Sequence, residues 1–314
     1  MKTAELGRSG ITTTRLIYGC MRTVGTWNPA DVDEASVAMA RAAILAAFEA
    51  GYRHFDHADI YCRGECERMF GRILAENPGM REQIVITTKC GIRWPGVPEA
   101  GSPHRYDFSA GHILWSADQS LERLGVETID VYLLHRPDVL MDPAEVAGAF
   151  HTLKQAGKVR AFGVSNFTPA QFDALQAAWP DPLVCNQLRI TPQDVRPFED
   201  GTLEHHLRVG TTPTAYSPVA GGLLGDGAVI PGDHADFARL TALNAALDAE
   251  AAALGVSRSA AVNAWLMRHP AGIQPIIGTV NPERIRSAAA ADGVEMGREA
   301  WYRIYLAARG RALP

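Results

Sequence analysis

Three side chains that can hold, donate or steer a proton stand where apolar runs come to an end, and a fourth follows in a loop. Lys89 follows Ile84-Val85-Ile86-Thr87-Thr88, Asp56 closes Arg53-His54-Phe55, and His135 follows Ile129-Asp130-Val131-Tyr132-Leu133-Leu134. Tyr61 comes five residues after Asp56 in the loop His57-Ala58-Asp59-Ile60. Lysine is almost never fully buried without a partner, so an ammonium inside an apolar strand calls for a carboxylate, and Asp56 on the preceding strand can supply it. Only four of the 30 basic residues are lysines, so lysine at this point carries a reason. An arginine fork is wide and its charge is fixed, whereas a compact ammonium can sit against a phenol. There it favours the phenolate and lowers the hydroxyl's pKa from about 10. His135 can donate to, or orient, a substrate oxygen. Taken one at a time, these residues also read as a structural Lys–Asp pair, a packed tyrosine with a wet hydroxyl, and a histidine satisfied in the core.

Short apolar runs alternate with longer amphipathic ones, the pattern of βα units around a parallel sheet. Strands are expected at 16–18, 53–56, 84–88, 129–134, 161–164, 183–186, 212–215 and 274–277. Helices are expected near 33–50, 64–75, 110–124, 143–156, 169–178, 199–208, 258–269 and 281–290. Eight strands, each followed by a helix, is the count of a closed (β/α)8 TIM barrel, and barrels of about 250 residues form one unit. The 314 residues are therefore expected to make a single barrel domain over 1–314. Residues 2–14, with a Gly-Arg-Ser-Gly turn, suggest an N-terminal β-hairpin cap at the barrel bottom. Extra helices are expected at 236–253 and 298–309. In such a barrel the chemistry sits at the C-terminal strand ends. Read in order these are Asp56, Lys89, His135, Ser165-Asn166, Gln187, Tyr216-Ser217 and Gly278-Thr279, around one rim.

Composition narrows the partners. The chain is 47% apolar and 21% charged, with 30 basic against 35 acidic residues and a net charge of −5. No basic stripe argues for nucleic acid. No apolar run reaches the roughly 18 residues of a membrane span, and no leader is evident. Five scattered cysteines, without paired CxxC spacing, read as reduced and buried thiols of a cytoplasmic protein.

The run Phe55-Asp56-His57-Ala58-Asp59-Ile60-Tyr61, followed by Lys89 and His135, resembles the Asp, Tyr, Lys, His tetrad of the aldo-keto reductase superfamily. Gly163-Val164-Ser165-Asn166-Phe167, Asn186-Gln187, Tyr216-Ser217-Pro218 and Ile276-Ile277-Gly278-Thr279 follow in the family's order, so the likeness spans nearly the whole chain. It implies reduction of an aldehyde or ketone to an alcohol with NADPH/NADP+, NADH being possible. Tyr61 would be the general acid, Lys89 and Asp56 would tune it, and His135 would hold the carbonyl oxygen. Ser165, Asn166 and Gln187 would bind the nicotinamide carboxamide, and Tyr216 would stack on its ring. The loop Ser217-Pro218 to Gly221, Gly222 and Leu223 would lie over the pyrophosphate, its glycines letting backbone N–H groups approach anionic oxygens. Gly278, Thr279 and Arg284 stand at the start of a helix opened by Asn281-Pro282-Glu283, which suits a 2′-phosphate. Gly278 occupies a position often held by lysine in the family.

Trp27, Trp94 and Tyr106 are expected to wall the pocket for a small carbonyl substrate. The chain stops soon after its last helix, which points to an open, permissive site. Two other readings stand beside this one. His54, Asp56, His57, Asp59 and His135 could serve a metal-dependent hydrolase on the same barrel, although Asp56 and His57 should point apart on a strand. A nicotinamide-sensing binding protein with weak reductase activity is the other. The expected metal set is none, and the oligomeric state is not legible.

Overall fold

The computed structural model describes residues 1–313. Two short strands, β1 (Thr3–Glu5) and β2 (Thr12–Thr14), pair antiparallel ahead of everything else. The chain then alternates as β3 (Ile17–Gly19), α1 (Glu34–Glu49), β4 (His54–Asp56), α2 (Glu65–Glu76) and β5 (Val85–Cys90). A two-stranded ribbon, β6 (Ile92–Arg93) with β7 (Arg105–Tyr106), interrupts it before α3 (Ala110–Leu124). Next come β8 (Ile129–Leu134), α4 (Pro143–Gln155), β9 (Val159–Ser165), α5 (Pro169–Ala178), β10 (Leu183–Arg189), α6 (Thr202–Val209) and β11 (Thr212–Tyr216). The last turn of the wheel is α7 (Phe237–Leu254), α8 (Arg258–Met267), β12 (Gln274–Ile277), α9 (Pro282–Ala289) and α10 (Arg298–Arg309).

Eight of these strands close into a parallel barrel in the order β10-β11-β12-β3-β4-β5-β8-β9. This is the expected (β/α)8 TIM barrel, with the expected hairpin and extra helices. The ribbon β6–β7 was not anticipated, because two paired residues per strand leave no alternation to detect.

Helix starts follow from local chemistry. Asp33, Ser109, Asp142, Thr168, Ser257 and Asn281 each accept a backbone N–H of the first turn. Pro143, Pro169 and Pro282 occupy the first helical position, where a missing N–H costs nothing. Thr168 and Gln171 form a reciprocal capping box on α5.

The hairpin plugs the floor of the barrel. Leu6 and Ile11 are buried in one cluster with Val85, Val131, Leu133 and Val184. Gly7 has φ +59°, and a Cβ there would come within 2.4 Å of the Val184 carbonyl oxygen, so only glycine lets the turn seat this deeply. Its N–H donates to Thr212 Oγ1 at 2.8 Å. On the outside, Trp265 of α8 and Trp301 of α10 stack at 5.0 Å, each indole N–H donating to the other's carbonyl at 3.0 Å. Closing the floor leaves the C-terminal strand ends as the open mouth.

Candidate active site

Strand register brings the acid and the lysine together. Asp56 of β4 sits beside Thr87 of β5, and Lys89 lies two residues further along the same strand, on the same face. The Lys89 ammonium is 0% exposed and has three acceptors for its three protons. It donates to Asp56 Oδ2 at 2.8 Å, to the His57 carbonyl at 2.6 Å and to the Tyr61 hydroxyl at 3.1 Å. The surrounding negative charge and hydrogen bonds outweigh the burial that opposes them, so Lys89 is held above its ordinary range. It is a cation.

Tyr61 is aimed at this ammonium by an unusual turn. Cys62, Arg63 and Gly64 have φ of 46°, 52° and 91°, three left-handed residues in succession before α2 begins. Two of them carry side chains, a conformation that stores strain and here fixes where the phenol points. Burial drives the Tyr61 phenol up to about 12, and Lys89 pulls back only part of that rise. The lowering expected from lysine alone is thus corrected: burial exceeds the ammonium's pull, and the phenol keeps its proton at neutral pH. The Tyr61 ring meets the ring of His135 edge-on at 6.0 Å. Burial first, then the charges of Lys89 and Arg136, hold His135 well below its usual pKa, so the imidazole is neutral.

A polar belt continues from this cluster around the mouth. The Ser165 hydroxyl and the Asn166 N–H both donate to the Gln187 carbonyl at 2.9 Å. Asn166, at φ +62°, turns its side-chain amide to Ser165 Oγ at 2.8 Å and to the His135 carbonyl at 3.2 Å. The Tyr216 hydroxyl donates to Asn166 Oδ1 at 2.9 Å. Gln187 Nε2 donates to Asp56 Oδ1 at 2.8 Å, a bond the sequence offered no way to foresee.

After β11 the chain turns through Ser217, Ala220, Gly221 and Gly222, all with positive φ. The N–H groups of Ala220, Gly222, Leu223 and Leu224 close onto the carbonyls of Ser217, Val219 and Ala220, so four of the loop's donors are committed to its own turns. Pro218 is buried and Leu223 half-buried beneath this loop. Beyond β12, Gly278 is exposed and Thr279 half-buried, its carbonyl accepting from the Tyr18 hydroxyl. Arg284 is exposed on the first turn of α9, with Asn281 Oδ1 capping its N–H at 3.0 Å.

The three aromatic residues expected to wall the pocket fare differently. Trp27, 52% exposed, meets the Tyr61 ring edge-on at 6.3 Å. Trp94 carries the Arg63 guanidinium over its face at 5.1 Å. Tyr106 packs against His104 at 5.8 Å in the β6–β7 ribbon, and among the described residues no ring contact joins it to Tyr61. Arg136, which the sequence reading passed over, lies half-buried beside His135 with its guanidinium 5.8 Å from the centre of the Tyr216 ring. Among the described residues no carboxylate pairs with it. Its near neighbour Asp138 has both oxygens on backbone N–H groups, of Phe108 and Leu140.

The histidines and acids of strand β4 and of the loop that follows it diverge. His54 Nε2 bonds Thr87 Oγ1 at 2.6 Å, His57 packs on Phe70 at 4.5 Å, and Asp59 accepts from Ser116 at 2.6 Å. Among the described residues no three His, Cys, Asp or Glu side chains converge as metal ligands do.

The mouth of the closed βα barrel holds a buried Lys–Asp–Tyr chain, and the Aldo/keto reductase family model matches residues 15–304. The chain belongs to that family of oxidoreductases. It is 40% identical to a 6-dehydroglucose reductase of Novosphingobium aromaticivorans, over 99% of this chain and 96% of that one. It is likewise 40% identical to the uncharacterised oxidoreductase YcsN of Bacillus subtilis, over 96% of each chain. Among solved structures, a glycerol dehydrogenase from Gluconobacter oxydans superposes with a TM-score of 0.83 at 26% identity, covering 97% of this chain and 95% of that chain. Among the described residues no helix is long and apolar enough to cross a membrane.

Proposed function

We propose that this protein reduces the aldehyde or ketone group of a small polar molecule to an alcohol, using NADPH, with Tyr61 as the proton donor. The observation that carries the reading is the buried ammonium of Lys89, bonded at once to Asp56 and to the Tyr61 hydroxyl. The chemistry a bound dihydronicotinamide supplies is a hydride for the carbonyl carbon. Tyr61 meets the charge that develops on the carbonyl oxygen and gives up its proton there. The phenol needs its proton for this, and burial keeps it on. Lys89 becomes the counter-ion as the phenolate forms, so its charge stabilises the transition state more than the resting site. Neutral His135 offers a hydrogen bond to the same oxygen without adding a charge.

Three groups of residues support the choice of cofactor. Ser165, Asn166 and Gln187 line a carboxamide-sized polar belt in which Gln187 Oε1 has no donor from the protein among the described residues, an acceptor left for a ligand N–H. Tyr216 offers a ring face, and Ser217, Pro218, Gly221, Gly222 and Leu223 form the adjoining loop for the pyrophosphate. Arg284 next to Thr279 and Gly278, at the opening of α9, adds the positive charge that favours a 2′-phosphate over the bare hydroxyl of NADH. For the substrate we read Trp27 as an apolar wall and Arg136, which no carboxylate pairs among the described residues, as a source of donors near Tyr216. Donors of this kind suit a hydroxyl-rich carbonyl compound, in keeping with the name 6-dehydroglucose reductase carried by a relative.

The test is fluorescence titration with NADPH and with NADH, followed by turnover on neutral and hydroxylated aldehydes, for the wild type and Tyr61→Phe. NADPH should bind more tightly than NADH. Tyr61→Phe should lose on the order of 10²-fold or more in kcat while its NADPH affinity stays within about twofold. Equal turnover by the variant would remove Tyr61 as donor. Binding without turnover would make the protein a nicotinamide sensor, and binding of neither nucleotide would overturn the reading as a whole.

A further inference from the structure

Asp56 is held from two sides of the barrel. Its Oδ2 takes the Lys89 ammonium from the neighbouring strand, and its Oδ1 takes Gln187 Nε2 at 2.8 Å from β10. In the barrel order β10 and β4 stand four strands apart in either direction, so this bond crosses the barrel axis. Both residues are buried. The end of β10 cannot drift, because the Gln187 carbonyl takes both the Ser165 hydroxyl and the Asn166 N–H. Among the described residues no other group donates to Asp56, so Gln187 alone satisfies the second oxygen of the carboxylate. Among the described residues nothing donates to Gln187 Oε1, and that oxygen is not fully buried.

We propose that Gln187 is a positioning residue for the Asp56–Lys89–Tyr61 chain, and that through its free Oε1 it passes the presence of the nicotinamide carboxamide on to that chain. The second half rests on the reading of Ser165, Asn166 and Gln187 as the carboxamide lining; the first half does not.

Lys89 divides three protons among three acceptors, and its bond to Tyr61 is the longest of the three. With Oδ1 satisfied by Gln187, the carboxylate needs only one of those protons. Without Gln187 a buried carboxylate oxygen is left bare, which costs more than an ordinary hydrogen bond is worth. The ammonium is then drawn further onto Asp56 and away from the phenol. A ligand N–H donating to Oε1 works in the opposite direction. It polarises the amide, strengthens the Nε2–H bond to Asp56, and leaves Lys89 freer to serve Tyr61. One amide so placed ties the cofactor's seat to the strength of the acid without touching substrate.

Two measurements test this. In cofactor-free protein carrying ¹⁵N-glutamine, the side-chain signal missing from Gln187→Leu identifies Gln187. Its amide protons should exchange with water more slowly than those of every exposed glutamine, and the signal should move downfield as NADP+ saturates the protein. Exchange as fast as at the surface overturns the positioning role. Slow exchange with bound NADP+ but no movement of the signal overturns the coupling. If NADP+ does not bind at all, the cofactor reading fails while slow exchange still upholds the positioning role. The second measurement is on turnover. At saturating substrates, Gln187→Leu should lower kcat about tenfold and enlarge the D2O effect on kcat more than the effect of 4-deuterated NADPH, because the proton donor has weakened. Ser165→Ala, which keeps the Gln187 side chain on Asp56 and the Asn166 N–H on the Gln187 carbonyl, should act on the cofactor KM first. A larger NADPD effect with an unchanged D2O effect in Gln187→Leu would reduce Gln187 to a cofactor ligand. Should that variant not fold, Gln187→Asn, too short to span the barrel, replaces it in both measurements.

Discussion

Asp59 is the residue most at odds with its surroundings. Its carboxyl is tucked under α3, where Oδ2 accepts from Ser116 and Oδ1 has no partner. Burial pushes its pKa up to about 7, against the pull of the Ser116 bond. The sign for stability follows directly. The folded state holds this proton more tightly than the unfolded chain, where the group titrates near 3.8. The penalty for ionising it is absent below the unfolded value, grows as pH rises, and is complete above about 7. Asp59→Asn should therefore be more stable than the wild type by on the order of 2 kcal/mol at pH 8, with the advantage shrinking towards pH 4. Urea denaturation of the two proteins across that range measures it. An advantage that is flat with pH would mean that Asp59 titrates alike in the folded and unfolded protein, so that burial does not raise it. The backbone N–H of Asp59 donates to the Lys89 carbonyl at 3.1 Å, so this residue also fixes the start of the loop that carries Tyr61.

At the scale of elements, the site depends on how closely α2 approaches α3. Gly71 faces the end of α3, and a Cβ there would lie 2.6 Å from the Arg123 carbonyl oxygen and 2.7 Å from that of Leu124. Both obstacles are backbone and cannot swing aside. The close approach lets Arg123 reach Glu67 at 2.7 Å, and Glu67 in turn accepts from Thr88 at 2.5 Å, one residue from Lys89. Gly71→Ala gains helix propensity but forces the helices apart, and we expect a net loss of about 1–3 kcal/mol in chemical denaturation. A stabilised variant would show that α3 can yield. This spacing illustrates what the sequence conceals. Helix and strand positions were legible because apolar periodicity repeats locally, and the opening of one helix showed in Asn281-Pro282. Asp56, Lys89 and His135 were legible as candidates because each closes an apolar run, and Tyr61 because it follows Asp56 in a loop within the resemblance. Gln187 meeting Asp56, Arg136 lying near Tyr216, and the left-handed turn at Cys62 and Arg63 were not, since each depends on residues distant in sequence or on backbone angles that residue type does not encode. The phenol's raised pKa escaped for a related reason: the ammonium is visible in the sequence, but the depth of burial is not.

For the whole molecule, the barrel separates stability from chemistry along its axis. The floor is a packed plug of Leu6 and Ile11 against Val85, Val131, Leu133 and Val184, and the mouth holds every group assigned to the reaction. A defect at the floor enters at Val85, Val131 and Val184, and its way up to the mouth is Leu133, the register partner of Lys89. A βα barrel resists such transmission, because each strand is braced by two neighbours and each helix by the core. Leu6 is fully buried, and Leu6→Ala leaves a cavity that the closed strands around it cannot collapse to fill. The expected cost is about 2–5 kcal/mol in unfolding free energy. At a temperature where the variant is fully folded, its NADPH affinity and kcat should stay within about twofold of the wild type, since no group at the mouth changes partner. Denaturation curves paired with turnover at one low temperature decide it. A drop in kcat that matches the loss of stability would mean that the barrel transmits strain from floor to mouth. Intact kcat with a lowered melting point would mean that the hairpin serves the fold alone.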